Sequence, residues 1–255
     1  QSSVTRQLSW EQRQDSFQSG VHLSRHKLQR KFTNFPNKDL QTNINQRKNR
    51  KQLMNKIIVN EISSYSDHQE NTIYFSGTPI SENINIVFHG SNNKIYINDL
   101  ARISKLAIEF HGSNATVKIG KNGKLMVRIL IGSNSEVSIG DGLSTTGQAY
   151  ITAFEGANVV IGDDCMFAAG VSIRSDDAHP IFSVRTGDRI NKAKSIKIGS
   201  HVWIGEGSVL LSGTEIGDGS VIGTRSVVKG KIPNNCIAAG VSAKIIKRNI
   251  IWHII

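Results

Sequence analysis

The sequence is short of the residues that lock a chain by themselves. It has two cysteines and four prolines in 255 residues. Two cysteines cannot build a disulfide framework, and neither Cys165 nor Cys236 has metal-ligand spacing around it, a usage that suits a reducing compartment. Aromatic residues are 6% of the chain. No apolar run approaches the ~18–20 residues of a membrane-spanning helix. The opening QSSVTRQLSW lacks the charged start and apolar centre of a secretion signal, so the expected location is the cytoplasm. Acidic residues are scarce too, 20 against 31 Lys and Arg, for a net charge of +11.

The acidic deficit is local. Residues 1–57 hold 12 Lys and Arg against 3 Asp and Glu, which leaves 19 against 17 for the remainder. The chain therefore divides into a basic N-terminal extension (1–57), a linker and cap (58–83), a repetitive domain (84–247) and a short tail (248–255). Within the extension, Val21, Leu28 and Phe32 share a helical face and 40–57 holds helix formers, so one or two helices are expected.

Repetition dominates the rest of the chain. The lines FHGSNNKIYIND (88–99), FHGSNATVKIGK (110–121), LIGSNSEVSIGD (130–141) and FEGANVVIGDD (154–164) recur. Further on, Ile198, Ile204, Leu210, Ile216, Ile222 and Val228 come every sixth residue, with small residues at Ser208, Thr214, Ser220 and Ser226. A six-residue period fits neither a helix nor a simple strand. A short strand and a tight corner satisfy it: one aliphatic points inward per side, a small residue fills the corner, and three sides close a coil. The pattern resembles the hexapeptide-repeat proteins, whose fold is an all-β solenoid, a left-handed parallel β-helix of triangular section. About seven or eight coils are expected.

The rhythm breaks once. Phe167 and Ile173 keep step after Ile161, but the next aliphatic in phase is Ile198, so about nineteen residues over 175–195 must leave the prism as a loop. Long loops in compact domains are usually functional. This one holds Asp176, Asp177, His179, Pro180, Arg185, Asp188, Arg189, Asn191 and Lys194. An imidazole can take a proton from a hydroxyl and pass it on, a neighbouring carboxylate such as Asp177 can fix its tautomer, and Pro180 stiffens the turn. Cys165, the nearest alternative nucleophile, falls in the hexapeptide phase and reads as structural.

The segments DAHPIFS (177–183), GDRIN (187–191) and IGSHVWIG (198–205) resemble the hexapeptide acyltransferases that O-acetylate bacterial capsular polysaccharide, of the meningococcal sialic-acid capsule type. The runs IGDGSVIGTRSVV (216–228) and IPNNCIAAGVSAKIIK (232–247) resemble the end of that wider acetyltransferase family, with Ser242 where its Gly-x-Pro-Ala-Lys pattern has proline. The resemblance implies an acetyl-CoA-dependent sugar O-acetyltransferase acting by direct transfer, with His179 as general base supported by Asp177 and with Trp203 as an active-site wall. It implies coenzyme contacts at Trp203, Ser212, Thr224, Arg225 and Ser226. Ala239, Gly240, Lys244 and Lys247 extend that groove. Acceptor contacts are expected at Arg174, Arg189, Asn191 and Lys194. The acceptor expected is a capsular polysaccharide; the alternative is a small sugar, a nucleotide sugar or an antibiotic. Flat prism sides that expose repeated short strands favour packing three prisms together, so a homotrimer with active sites between subunits is expected. The basic extension is then expected to attach the enzyme to an anionic polymer, to capsule-assembly proteins or to anionic lipid at the inner membrane.

Two rival readings fit the residues less well. A prism-shaped zinc enzyme would need three protein ligands. His89 and His111 stand at equivalent places in two coils and should stack facing solvent, but the neighbouring coils offer Ile131 and Glu155 there, so no metal is expected. A non-catalytic scaffold binding nucleic acid through the basic extension would need neither the insert nor its polar residues, and the extension lacks a nucleic-acid motif.

Overall fold

The computed structural model describes residues 57–58, 64–77, 80–81, 83–98 and 101–253. The helices expected within 1–57 lie outside the described residues, Ile57 apart. Every regular element among the described residues is a strand, and the strands wind into a parallel β-helix of about seven turns. One face stacks Thr72–Ser76, Lys94–Asn98, Thr116–Ile119, Glu136–Ile139, Val159–Ile161, Ile196–Ile198, Glu215–Ile216 and Lys231–Ile232 in parallel order. A second face runs through Ser144–Thr145, Met166–Phe167, Trp203–Ile204, Val221–Ile222 and Cys236–Gly240. A third runs through Ala149–Ala153, Ser172–Arg174, Val209–Leu210 and Val227–Val228. The long strands Arg102–Phe110 and Lys124–Ile131 bend across the second and third faces.

The six-residue aliphatics are the core. Ile198, Ile204, Leu210, Ile216, Ile222 and Val228 are all buried, and each stack buries its side chains against the coil above and below. Full burial of an aliphatic of this size stabilises by about 1.5–3 kcal/mol. The small corner residues are buried as well, and their hydroxyls do not go unpaired: Ser208 Oγ donates to Gly223 O at 2.9 Å, Thr214 Oγ1 to Val228 O at 3.0 Å and Ser220 Oγ to Pro233 O at 2.7 Å. Each corner is thereby fastened to the next coil.

The GSN lines have their own corner chemistry. Asn92, Asn114 and Asn134 sit at φ 52, 59 and 57°, the left-handed region that asparagine tolerates better than other side chains. The side-chain amides of Asn92 and Asn114 also bond along the stack, Asn92 Nδ2 donating to Asn114 Oδ1 at 2.8 Å.

Two expectations need correction. The parallel ladder starts at Thr72, before residue 84, because Thr72–Ser76 pairs in register with Lys94–Asn98 and is itself capped by the antiparallel strand Ser64–Ser66. The second concerns the histidine stack: Phe110 pairs with Ile131 rather than Leu130, and Ile131 with Ala153. His111 is therefore succeeded in the stack by Gly132 and then Phe154, not by Ile131 and Glu155. The coil shortens by one residue at this corner, and aligning the GSN lines by their glycines hides the slip.

Candidate active site

The insert begins where the third face ends. Ser175 is the last buried residue, its Oγ accepting the Phe154 N–H at 3.1 Å. Asp176 then turns the chain outward: Oδ1 accepts from Thr152 Oγ1 at 3.1 Å and Oδ2 accepts the Ala178 N–H at 2.8 Å, with Ala178 at φ 61°. The His179 N–H donates to Asp177 O at 2.7 Å. His179 emerges exposed at the prism edge between the third and first faces.

The size of the insert is read from the stack. Asp163 N bonds Ser200 Oγ across a separation of 37 residues, whereas Ser200 N bonds Asp218 Oδ1 across 18. The difference is the nineteen residues anticipated from the phase. They form a small hairpin: Phe182 bridges Arg189 antiparallel, Ser183 N–H donates to Asp188 O at 2.8 Å, and Ile190 N–H donates to Ile181 O at 2.9 Å.

Asn191 fastens the hairpin base to the histidine turn. Its Nδ2 donates to His179 O at 2.8 Å and to Asp177 Oδ2 at 3.0 Å, while its Oδ1 accepts the Ile181 N–H at 2.6 Å. Arg189 reaches back to the preceding coil, where its guanidinium donates to Glu155 Oε1 at 2.7 Å; Glu155 Oε2 accepts the Ala193 N–H at 3.2 Å. The Arg189 hydrogen bond holds the Glu155 carboxyl below its usual range, against a smaller opposing effect of burial and with help from Ala193. The hairpin rejoins the prism at Lys194, whose N–H donates to Ser212 Oγ at 2.9 Å.

Several residues singled out from the sequence therefore have work inside the protein. Asn191 and Arg189 organise the hairpin, and the Asp177 carboxylate is held by Asn191; among the described residues no side chain hydrogen-bonds the His179 ring. Ser226 is fully buried, and its Oγ accepts the Gly240 N–H at 3.1 Å, so its hydroxyl is engaged inside the prism. Arg174, Lys194, Thr224, Arg225, Ala239, Gly240, Lys244 and Lys247 are at least partly exposed. Arg225 turns its corner at φ 56°, and the Val241–Ser242 peptide is cis. The Cys165 thiol is buried and is pushed up to about 11, chiefly by that burial, which removes it as a nucleophile at neutral pH.

Trp203 lies on the second face, in register between Met166 and Val221, and is 38% exposed. It has a neighbour that the repeat pattern did not announce. The Trp252 ring centroid lies 6.0 Å from that of Trp203 and 4.1 Å from that of His201, on which it stacks nearly parallel at 13°. The pair is locked reciprocally: Trp252 Nε1 donates to His201 O at 3.0 Å, and His201 Nε2 lies 2.9 Å from Trp252 O. A tryptophan in a tail that is apolar apart from His253, IIWHII, was the available signal.

Comparison with known proteins agrees with this anatomy. Residues 195–230 match the family described as bacterial transferase hexapeptide (six repeats). The chain is 40% identical over 136 residues to a polysialic acid O-acetyltransferase of Escherichia coli O1:K1 / APEC, a match covering 53% of this chain and 44% of that protein. It is 37% identical over 144 residues to the polysialic acid O-acetyltransferase of Neisseria meningitidis, covering 56% of this chain and 66% of the relative. The match thus spans under half of the first relative and about two thirds of the second. Among solved structures, the polySia specific acetyltransferase NeuO superimposes with a TM-score of 0.69 at 40% identity, over 72% of this chain and 79% of that one. The polysialic acid O-acetyltransferase OatWY does so with 0.65 at 35% identity, over 72% and 87%. With a phase-keeping core, one polar insert and these relatives, the chain belongs to the hexapeptide-repeat acyltransferase family, alongside the polysialic acid O-acetyltransferases.

Proposed function

We propose that the chain is an O-acetyltransferase that moves the acetyl group of acetyl-CoA to a sugar hydroxyl of a sialic-acid-type capsular polysaccharide. The observation that carries this reading is the nineteen-residue hairpin, held by Asn191 and Glu155, which presents His179 at a prism edge. The names of the two polysialic acid O-acetyltransferases supply the acceptor class.

In this mechanism the His179 imidazole accepts the proton of the acceptor hydroxyl as that oxygen bonds to the thioester carbonyl carbon. The tetrahedral intermediate then expels the coenzyme sulfur, which takes the proton back from the imidazolium. No acyl-enzyme is required, in keeping with the buried, protonated Cys165. General-base catalysis of this kind contributes about 10²–10⁴-fold. The exposed backbone at Thr224 and Gly240, with Lys244 and Lys247 nearby, is the groove for the coenzyme and its phosphates.

The working unit is a homotrimer. His179 stands where the strand Ile196–Ile198 begins its face, and Trp203 stands beyond the far end of that face. At roughly 3.3 Å per residue, a face of about five residues separates them by roughly 16 Å. A base and a tryptophan on different edges meet at one acceptor when two prisms lie side by side. The hairpin also exposes Ile181, Phe182, Val184 and Ile190, an apolar surface fit for a neighbouring subunit. The basic extension serves attachment to the anionic polymer or to anionic lipid at the inner membrane face.

The test is thiol release from acetyl-CoA with polysialic acid, other capsular polysaccharides and simple sugars as acceptors. Stimulation by an α-linked sialic acid polymer and acetyl ester in the product support the reading. Turnover with a small sugar or antibiotic alone would move the acceptor to the alternative class.

A further inference from the structure

We propose that His89, Glu109 and His111 form a binding site for a zinc-like divalent transition-metal ion on the outer edge of the N-terminal coils. The inference does not rest on the acetyl-transfer reading.

The two imidazoles belong to successive coils, with ring centroids 5.3 Å apart. Both point their Nε2 atoms at the same carboxylate oxygen: Glu109 Oε1 lies 3.1 Å from His89 Nε2 and 3.3 Å from His111 Nε2. The three ligand atoms all lie within 4.8 Å of one another. A tetrahedral zinc ion with bonds of about 2.0–2.1 Å has ligand-to-ligand edges of about 3.3–3.4 Å. Two edges of such a tetrahedron are therefore already close to length. The third ligand was missed in the sequence because it does not come from the next coil. Glu109 is the penultimate residue of the strand Arg102–Phe110, and His111 follows directly after the strand, where its Nε2 returns to the Glu109 carboxylate.

The ligands stand on rigid ground. His89 N–H donates to Phe110 O at 2.9 Å and His111 N–H to Ile131 O at 2.8 Å, while Phe88 and Phe110 stack inside the prism at 4.9 Å. Beyond His111 the stack is closed by Phe154, whose ring lies 5.9 Å from the imidazole and fills the space over Gly132, where a Cβ would come within 2.6 Å of Phe154 Cδ1. Arg128 approaches the other carboxylate oxygen, Oε2, at 3.7 Å and leaves Oε1 to the ion. Two imidazoles and one carboxylate suit zinc, cobalt or nickel rather than magnesium or calcium, which take oxygen ligands. Water completes the coordination. Such an ion would clip two adjacent coils together on the edge that, further along, carries the His179 hairpin.

The experiment is titration of the full-length chain with Co²⁺ and Zn²⁺, alongside His89→Gln, Glu109→Gln and His111→Gln. The expected result is one ion per chain with visible Co²⁺ absorption of tetrahedral intensity, and at least about tenfold weaker binding in each variant. Excess Zn²⁺ should raise the wild-type unfolding temperature by roughly 5 °C or more and leave the variants unmoved. All three side chains are at the surface; if one variant fails to fold, the other two carry the test. Absence of stoichiometric binding, or binding that the substitutions leave unchanged, would overturn the proposal.

Discussion

The side-chain amide of Asn191 donates to the backbone carbonyl of His179 at 2.8 Å, so the residue that ends the hairpin holds the turn that begins it. The same amide bonds Asp177 and its oxygen receives the Ile181 N–H. One side chain thus ties three backbone neighbourhoods around the imidazole, and a base is only as effective as its placement.

Asn191→Ala should therefore leave the β-helix folded and lower kcat by about 10–100-fold, the cost of misplacing a catalytic group by about 1 Å. KM for acetyl-CoA should change little. Steady-state kinetics with circular dichroism check this; unchanged kcat would show that the turn holds its shape without Asn191.

The hairpin clamp should be acid-sensitive. The Glu155 carboxyl is held below the ordinary value of 4.5 by Arg189, so the folded state favours the ionised form. Its contribution is present above the unfolded value and is lost as pH falls through the lowered folded one. The pair is partly exposed to solvent, which limits it to about 0.2–1 kcal/mol. Glu155→Gln should speed amide exchange in the 181–190 hairpin by up to about fivefold at neutral pH and flatten its response to acid. Identical exchange in the two proteins would contradict the clamp.

The hexapeptide core was legible because its period is rigid: Ile198 through Val228 could only be inward residues of a six-step coil, and all six are buried. The hairpin was legible as a gap in phase. Its internal bonds were not, since Arg189 finds its partner 34 residues back, in another coil, and His201 finds Trp252 across 51. The third member of the histidine cluster escaped because a stack is read across coils whereas Glu109 lies along the strand, and because the single-residue slip at Gly132 disguised the residues stacked beyond His111.

Cys165 should be inert. With its thiol pushed up to about 11 by burial, only about one part in a thousand is thiolate at pH 8. Iodoacetamide should leave it unmodified in the native protein and modify it after denaturation, as read by peptide mass. Rapid native labelling would reopen the question of a covalent intermediate.

Trp252→Ala should cost about 2–4 kcal/mol, because a buried ring and its bond to His201 O are both lost. It should also raise KM for acetyl-CoA by freeing Trp203. Denaturant titration and kinetics check both parts; a stable variant with unchanged KM would separate the tail from the site.

The proposed trimer predicts that Val184→Asp, at the exposed hairpin tip, shifts the assembly toward monomers with activity falling in parallel. Light scattering on the eluting protein measures it. A fully active monomer would place base and tryptophan within one subunit.

The central claim is that His179 is the general base. The most direct measurement is acetyl-CoA turnover with polysialic acid by wild type and His179→Ala, both shown to be folded and of equal oligomeric state. The account predicts a loss of about 100-fold or more in kcat with acetyl-CoA binding retained. Turnover that survives the substitution would contradict it.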